Sequence, residues 1–228
     1  MPFYKLRREN RTVAIDTDYF NLALRQKGTV RTAFLSQSNS YIRMAVVRVA
    51  ADQPVLAIRS QYPVCMTNST VNGDGTISFN LRAFSTGDFD YDVEFWLFDL
   101  PKYGMSFASG AKMIARNPAS GQVVFDSRMK YLKVQEFVTP SNNDETRNYG
   151  RYPAVVLCNR RWARVVAGIS PTVTREQTAT SAVWTDGNAV KSGMRDLYFQ
   201  LRQASPNDRF FSYAGGNPQM MVVDVQDY

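Results

Sequence analysis

The chain contains no histidine. That single absence removes Ser-His-Asp and Cys-His catalysis, the histidine-based zinc signatures and ordinary haem attachment. Cysteine occurs only twice, at Cys65 and Cys158. Each sits in an apolar setting (YPVCMT and AVVLCNR), so both are expected to be small buried hydrophobes rather than a disulfide pair. No apolar run reaches the about 18 residues of a membrane span. The opening MPFYKLRRENRTVAIDTDYF has no continuous apolar core of the signal-peptide kind, so the expectation is manufacture in a cytoplasm without a membrane span. Neither GxxxxGK[ST] nor GxGxxG follows an apolar run, and GDGT (73–76) is too short for a calcium loop. The sequence therefore assigns no catalytic residue, no metal site and no cofactor, and a non-enzymatic protein is expected.

Positive charge and aromatic rings are plentiful. The 228 residues carry a formal charge of +7, with 20 Arg against 7 Lys, and include 14 Phe, 12 Tyr and 3 Trp. The arginines are scattered; the tightest groups are Lys5/Arg7/Arg8/Arg11 and Arg160/Arg161/Arg164. No aromatic-basic platform accompanies them, so nucleic acid is not an expected partner. An Arg- and aromatic-rich composition suits protein interfaces.

The dominant periodicity is two. ISFNLRAF (77–84) alternates as a half-buried strand does, and VNGDGT (71–76) before it supplies Asn-Gly and Asp-Gly for a turn. YIRMAVVRVA (41–50), PVLAIRSQYPVCM (54–66) and YDVEFWLF (91–98) have the same character. In the second half AKMIARN (111–117), GQVVFDS (121–127), MKYLKVQEF (129–137), PAVVLCN (153–159), WARVVAGIS (162–170), SAVWTD (181–186), RDLYFQLRQ (195–203) and QMMVVDVQDY (219–228) read as strands. TPSNNDETRNYGRYP (139–153) and SYAGGNP (212–218) read as breaks. Segments 17–27 and 189–203 admit a helix, but Leu197, Phe199 and Leu201 alternate with polar neighbours, which favours a strand. The expectation is an all-β fold, one or more antiparallel β-sandwiches with an extended N-terminal segment. LPKYG (100–104) marks a boundary between a region 1–100 and a second β-rich region 101–228.

Three groups of polar residues invite a functional reading. Asp126 ends an apolar strand after the Asn117-Pro118-Ala119-Ser120-Gly121 turn, where a carboxylate caps a turn more naturally than it acts as an acid. Asp88, Asp90, Asp92 and Glu94 would share one face of a strand and form a solvated acidic edge, with metal binding and glycoside hydrolysis as weaker alternatives. Trp184 adjoins Asp186-Gly187-Asn188, an aromatic face beside polar groups of the kind that holds sugar rings; Trp184, Asp186 and Asn188 form a candidate ligand loop.

The segment YGMSFASGAKMIARNPASGQVVFDSRMKYLKV (103–134) resembles a module of tail proteins of long-tailed bacteriophages, in its order Tyr-Gly, Asn-Pro-x-x-Gly-Gln-Val-Val-Phe-Asp-Ser and Tyr-Leu-Lys-Val. The end MMVVDVQDY resembles the closing strand of such proteins. The spacer between Tyr103-Gly104 and Asn117 is longer than in that module, and residues 1–100 carry none of the likeness. The resemblance implies a non-enzymatic virion component of the tail tip, baseplate or fibre region, produced in the bacterial host cytoplasm. Its implied partners are other phage tail proteins and copies of itself, as a trimer for example. A host-surface receptor or carbohydrate is the alternative partner. The expected assembly contacts are the loop 139–153 and residues 1–25, anchored by Phe3, Tyr4, Leu6, Tyr19 and Phe20 in an arm that adds to a neighbour's sheet.

Overall fold

A computed structural model describes residues 5–7, 13–16, 21–34, 42–84, 89–106, 113–141, 143–205, 208 and 211–228. Among them there is no α-helix, only a 3-10 turn at Pro101–Tyr103. The first-half strands are β1 (Lys5–Arg7), β2 (Val13–Asp16), β3 (Ala23–Arg31), β4 (Ala33–Phe34), β5 (Ile42–Ala50), β6 (Val55–Arg59), β7 (Val64–Val71), β8 (Thr76–Phe84) and β9 (Asp92–Asp99). Then come β10 (Ile114–Arg116), β11 (Val123–Asp126), β12 (Val134–Val138), β13 (Glu145–Asn148) and β14 (Pro153–Asn159). The last are β15 (Trp162–Ser170), β16 (Val173–Asp186), β17 (Ala189–Gln203), β18 (Phe211–Gly215) and β19 (Gln219–Asp224).

Two antiparallel sheets pack face to face. One has the order β12-β19-β14-β6-β9-β3; the other runs β13-β17-β16-β7-β8-β5-β4, with β15 beside β16 and β18 beside β15. Their facing side chains form one core, with Val47, Leu81 and Val183 from the larger sheet against Ile58, Phe95 and Val222 from the smaller. The regions 1–100 and 101–228 share both sheets: Val155 pairs with Ile58 and Val183 with Val64.

Strand sequences report how many faces are covered. In β5, Ala45, Val47 and Val49 are buried while Val46 and Arg48 face water, so the pattern alternates. The smaller sheet is instead buried on both faces, because Leu24, Trp96, Phe98, Val156 and Val223 form a second cluster on its outer side. Its strands VLAI, PAVV and MMVV consequently read as continuous apolar runs.

Several expectations are corrected. The N-terminal segment contains a hairpin instead of a plain extended arm: Leu6 lies opposite Ile15, and this pair of strands joins neither large sheet. Phe3, Tyr4, Tyr19 and Phe20 lie outside the described residues. Segment 17–27, where a helix was admissible, contributes to β3, paired along β9. The break 139–153 contains β13, drawn onto the open edge of β17 from Ala189 to Ser192. The break 212–218 contains most of β18, which satisfies its backbone along β15. Of 129–137 only Val134 onward is strand, because Lys130 already gives its carbonyl to Leu24 N and the Tyr131 hydroxyl donates to the Asp126 carbonyl. Cys65 is buried and free, with its thiol pushed up to about 12 by burial. Cys158 is free but exposed, because the pairing of β14 with β19 shifts register there and carries it beyond the outer cluster.

Asp126 is a scaffold group. Its Oδ1 accepts from Arg128 N at 3.0 Å and its Oδ2 from Arg128 Nη2 at 2.6 Å, closing the turn after β11. The preceding turn is closed by Asn117 Oδ1, which accepts from Ala119 N and Ser120 N, while Gly121 takes φ +70°.

Candidate functional site

Two neighbouring grooves lie at one end of the sandwich, of about 780 Å³ and about 680 Å³, and they share Glu94 and Tyr152 as a common wall. The wall between them is organised by Arg59, which ends the apolar strand β6. Its Nη1 donates to the Pro153 carbonyl and its Nη2 to the Gly187 carbonyl, both at 2.9 Å. Its guanidinium lies 3.6 Å from the Tyr152 ring centroid, and Nε is 3.6 Å from Glu94 Oε2. One cation thus ties the β16–β17 turn, the start of β14 and strand β9 together. The Tyr152 hydroxyl donates to Glu94 Oε2 at 3.0 Å. Burial raises the pKa of this phenol, and the neighbouring carboxylate raises it further.

The acidic residues foreseen on one strand reach the larger groove, but each has a cation. Asp90 precedes β9 and pairs with Arg43 at 3.6 Å, and Asp92 pairs with Arg31 at 3.1 Å. Asp88 lies outside the described residues. Asp186 pairs with Lys191 at 2.8 Å, which holds its carboxyl below the usual range and makes it a poor general acid. Among the described residues no group of three His, Cys, Asp or Glu side chains is placed to hold a metal ion.

The candidate loop is divided between the two grooves. Trp184 and Asp186 line the larger one, Asn188 the smaller. Trp184 is half-buried, with Arg195 stacked 4.4 Å from its ring, and Arg195 is held in turn by Asp144. The exposed ring of the groove is Phe89, 42% accessible, which meets Tyr62 edge-on at 5.3 Å. Phe89, Arg59 and Tyr152 were missed in the sequence. An Arg closing an otherwise apolar strand was the available signal, because such a guanidinium must find carbonyls nearby.

A second surface lies at the far end of β16 and β17. By register, Ala163, Val165 and Ala167 of β15 share a face with Ala179, Gln177 and Arg175 of β16 and with Asp196, Phe199 and Leu201 of β17. The hydrogen bond from Gln177 Nε2 to Asp196 Oδ1, 2.6 Å, fixes that register. This face continues the one that carries Val183 in the sandwich core, yet none of its residues belongs to either core cluster. Phe199 and Leu201 are 41% and 54% accessible. The opposite face pairs its polar groups, with Arg202 and Thr174 on Asp208 and Arg164 on Glu176, while Trp162 packs on Tyr213 and the Phe211 and Tyr213 rings stay 43% and 55% accessible.

Compared with protein-family models, curated proteins and solved structures, the chain gives no significant match to any of them.

Proposed function

We propose that this chain is a structural, non-enzymatic subunit of a bacteriophage tail that assembles with copies of itself and with other tail proteins. The observation that carries the assembly is the flange formed by β15–β18, a core-type face that runs on past its second layer. A sheet buries its apolar face against another layer, and contiguous exposed apolar side chains such as Phe199 and Leu201 on one face are the mark of an interaction site. A second copy suits the face because its charges are self-complementary. Arg175 lies in one row and Asp196 in another, with the row of Val165, Gln177 and Phe199 between them. A two-fold rotation about the central row brings opposite charges together. The tail assignment is supported by the likeness of segment 103–134, and the virion is the proposed location.

Light scattering on the purified chain tests the assembly, with an oligomer expected at micromolar concentration. Immunogold labelling of the particles whose genome encodes the chain tests the location. Label on the tail is the expected result, and particles that carry no label refute it. A second reading, a host-surface binding module of the same tail, is favoured by the Phe89–Tyr152 groove.

A further inference from the structure

We infer that the groove binds a neutral oligosaccharide, along a path from Phe89 past Tyr152 to Trp96. This rests on the second reading of the groove and on nothing in the flange. The two cavities have the size of ligand sites and adjoin across Glu94 and Tyr152, so the pair offers an extended chain one trough that crosses that divide. Along it lie the exposed ring of Phe89, then Tyr152, then Trp96, which meets Tyr152 edge-on at 6.4 Å. Phe89 offers an apolar face to the C–H face of a sugar, whereas Tyr152, with Arg59 stacked on its ring, and Trp96, buried in the outer cluster, contribute ring edges and polar ends.

Charge disfavours an ionic ligand over most of the trough. Asp90, Asp92, Glu94 and Asp186 are each matched by Arg43, Arg31, Arg59 and Lys191, and in the smaller groove Arg151 pairs with Asp224 and Lys27 donates to the Tyr228 carbonyl. Among the described residues Asp227 is the lining side-chain carboxylate without an ion pair, so an anion, or a cation anywhere but at Asp227, would compete with a contact already made. A neutral polyol meets side chains fixed in place, and its hydroxyls can donate to carboxylates or accept from guanidinium groups without leaving a net charge desolvated. Trp96 adds an independent sign. It borders the trough, is only 6% accessible, and its indole N–H has no acceptor among the described residues. A buried donor of this kind calls for an oxygen, and a sugar hydroxyl or ring oxygen is one.

The test uses the full chain with three neutral probes, maltohexaose, cellohexaose and chitohexaose, and two charged ones, hexalysine and oligogalacturonate. Titration calorimetry and saturation-transfer NMR read the binding. At least one neutral probe is expected to bind at millimolar concentration or below. Phe89→Ala and Trp96→Phe are each expected to weaken it by about tenfold, the loss of one stacking or hydrogen-bonding contact. Phe89→Ala removes ring contacts with Tyr62 and Tyr91, so a modest fall in melting temperature is expected and binding is compared well below it, while Trp96→Phe keeps an aromatic ring and deletes the donor. Preferential binding of a charged probe, itself lost in Phe89→Ala, overturns the neutral-sugar inference but leaves the groove a receptor site. No binding by any probe overturns both. Neutral-probe binding that neither variant weakens also overturns the inference.

Discussion

Replacing Leu201 by Glu separates the stability of the subunit from that of its assembly. Leu201 is 54% accessible and belongs to neither core cluster, so in the isolated subunit the change should alter stability by about 0.5 kcal/mol or less. In a two-fold pair the exposed half of the side chain is buried, worth roughly 1–1.5 kcal/mol per copy, or about 2–3 kcal/mol for both. Two carboxylates pressed against the apolar face add at least about 2 kcal/mol more. The sum, roughly 4–5 kcal/mol, weakens the dimer by about a thousandfold. Sedimentation velocity across a dilution series measures the dissociation constant, and thermal unfolding at a concentration where both forms are monomeric measures the subunit. Phe137→Glu is the control, since Phe137 is 74% accessible on β12, an edge strand of the other sheet. The reasoning is refuted if the wild type is monomeric at high micromolar concentration, or if Leu201→Glu dissociates no more readily than Phe137→Glu.

Asp99 is fully buried, accepts from Asp52 N, Gln53 N and Leu100 N, and pairs with Arg25 at 2.7 Å. Asp99→Ala should cost about 3–5 kcal/mol in denaturant unfolding. Burial opposes the Asp99 charge, but these donors more than offset it and its pKa is lowered. Its contribution is therefore present above the ordinary carboxylate pKa, near 4, and is lost as pH falls through the lower folded value. A wild type and an Asp99→Ala variant that lose stability in parallel across that acid range would contradict this. Gly216 has φ +78°, and a Cβ there would stand 2.4 Å from the Arg160 carbonyl oxygen, so Gly216→Ala should destabilise by at least about 2 kcal/mol. An unchanged melting temperature would refute it.

Much of the fold was legible because period-two alternation is written by one covered face, as in β5 and β8. β13 and β18 were not, since ETRN carries no apolar stripe and the short Phe211/Tyr213 alternation runs straight into Gly-Gly-Asn-Pro; they are strands because a neighbouring edge offers them partners. The flange was legible as strands, but nothing in the alternation of RDLYFQLRQ says that, among the described residues, no second layer covers it. For the groove, Trp184 and Asp186 were found from the turn beside them. The partners that give them meaning, Arg59 and Tyr152, come from strands 125 or more and 30 or more positions away, a proximity created only when β6, β14 and the β16–β17 turn meet.

The groove and the flange occupy opposite ends of the same two strands. Asp186 and Lys191 at the turn line the groove, while Leu201 pairs with Arg175, eleven positions back from Asp186. At about 3.3 Å per residue that separation is roughly 35 Å. Pairing through the flange therefore leaves both grooves open, and an assembly presents several to one surface. Linked sites gain avidity by effective concentration without any new contact. Leu201→Glu should keep the solution affinity for the bound neutral hexasaccharide, yet be released from a surface coated with it about a hundredfold faster than the wild type. Surface plasmon resonance at high and low coating density makes the comparison, with the difference expected at high density alone. Equal release at both densities would mean that the grooves of an assembly cannot engage one surface together. A fall in solution affinity would mean that the two ends of β16–β17 are coupled rather than independent.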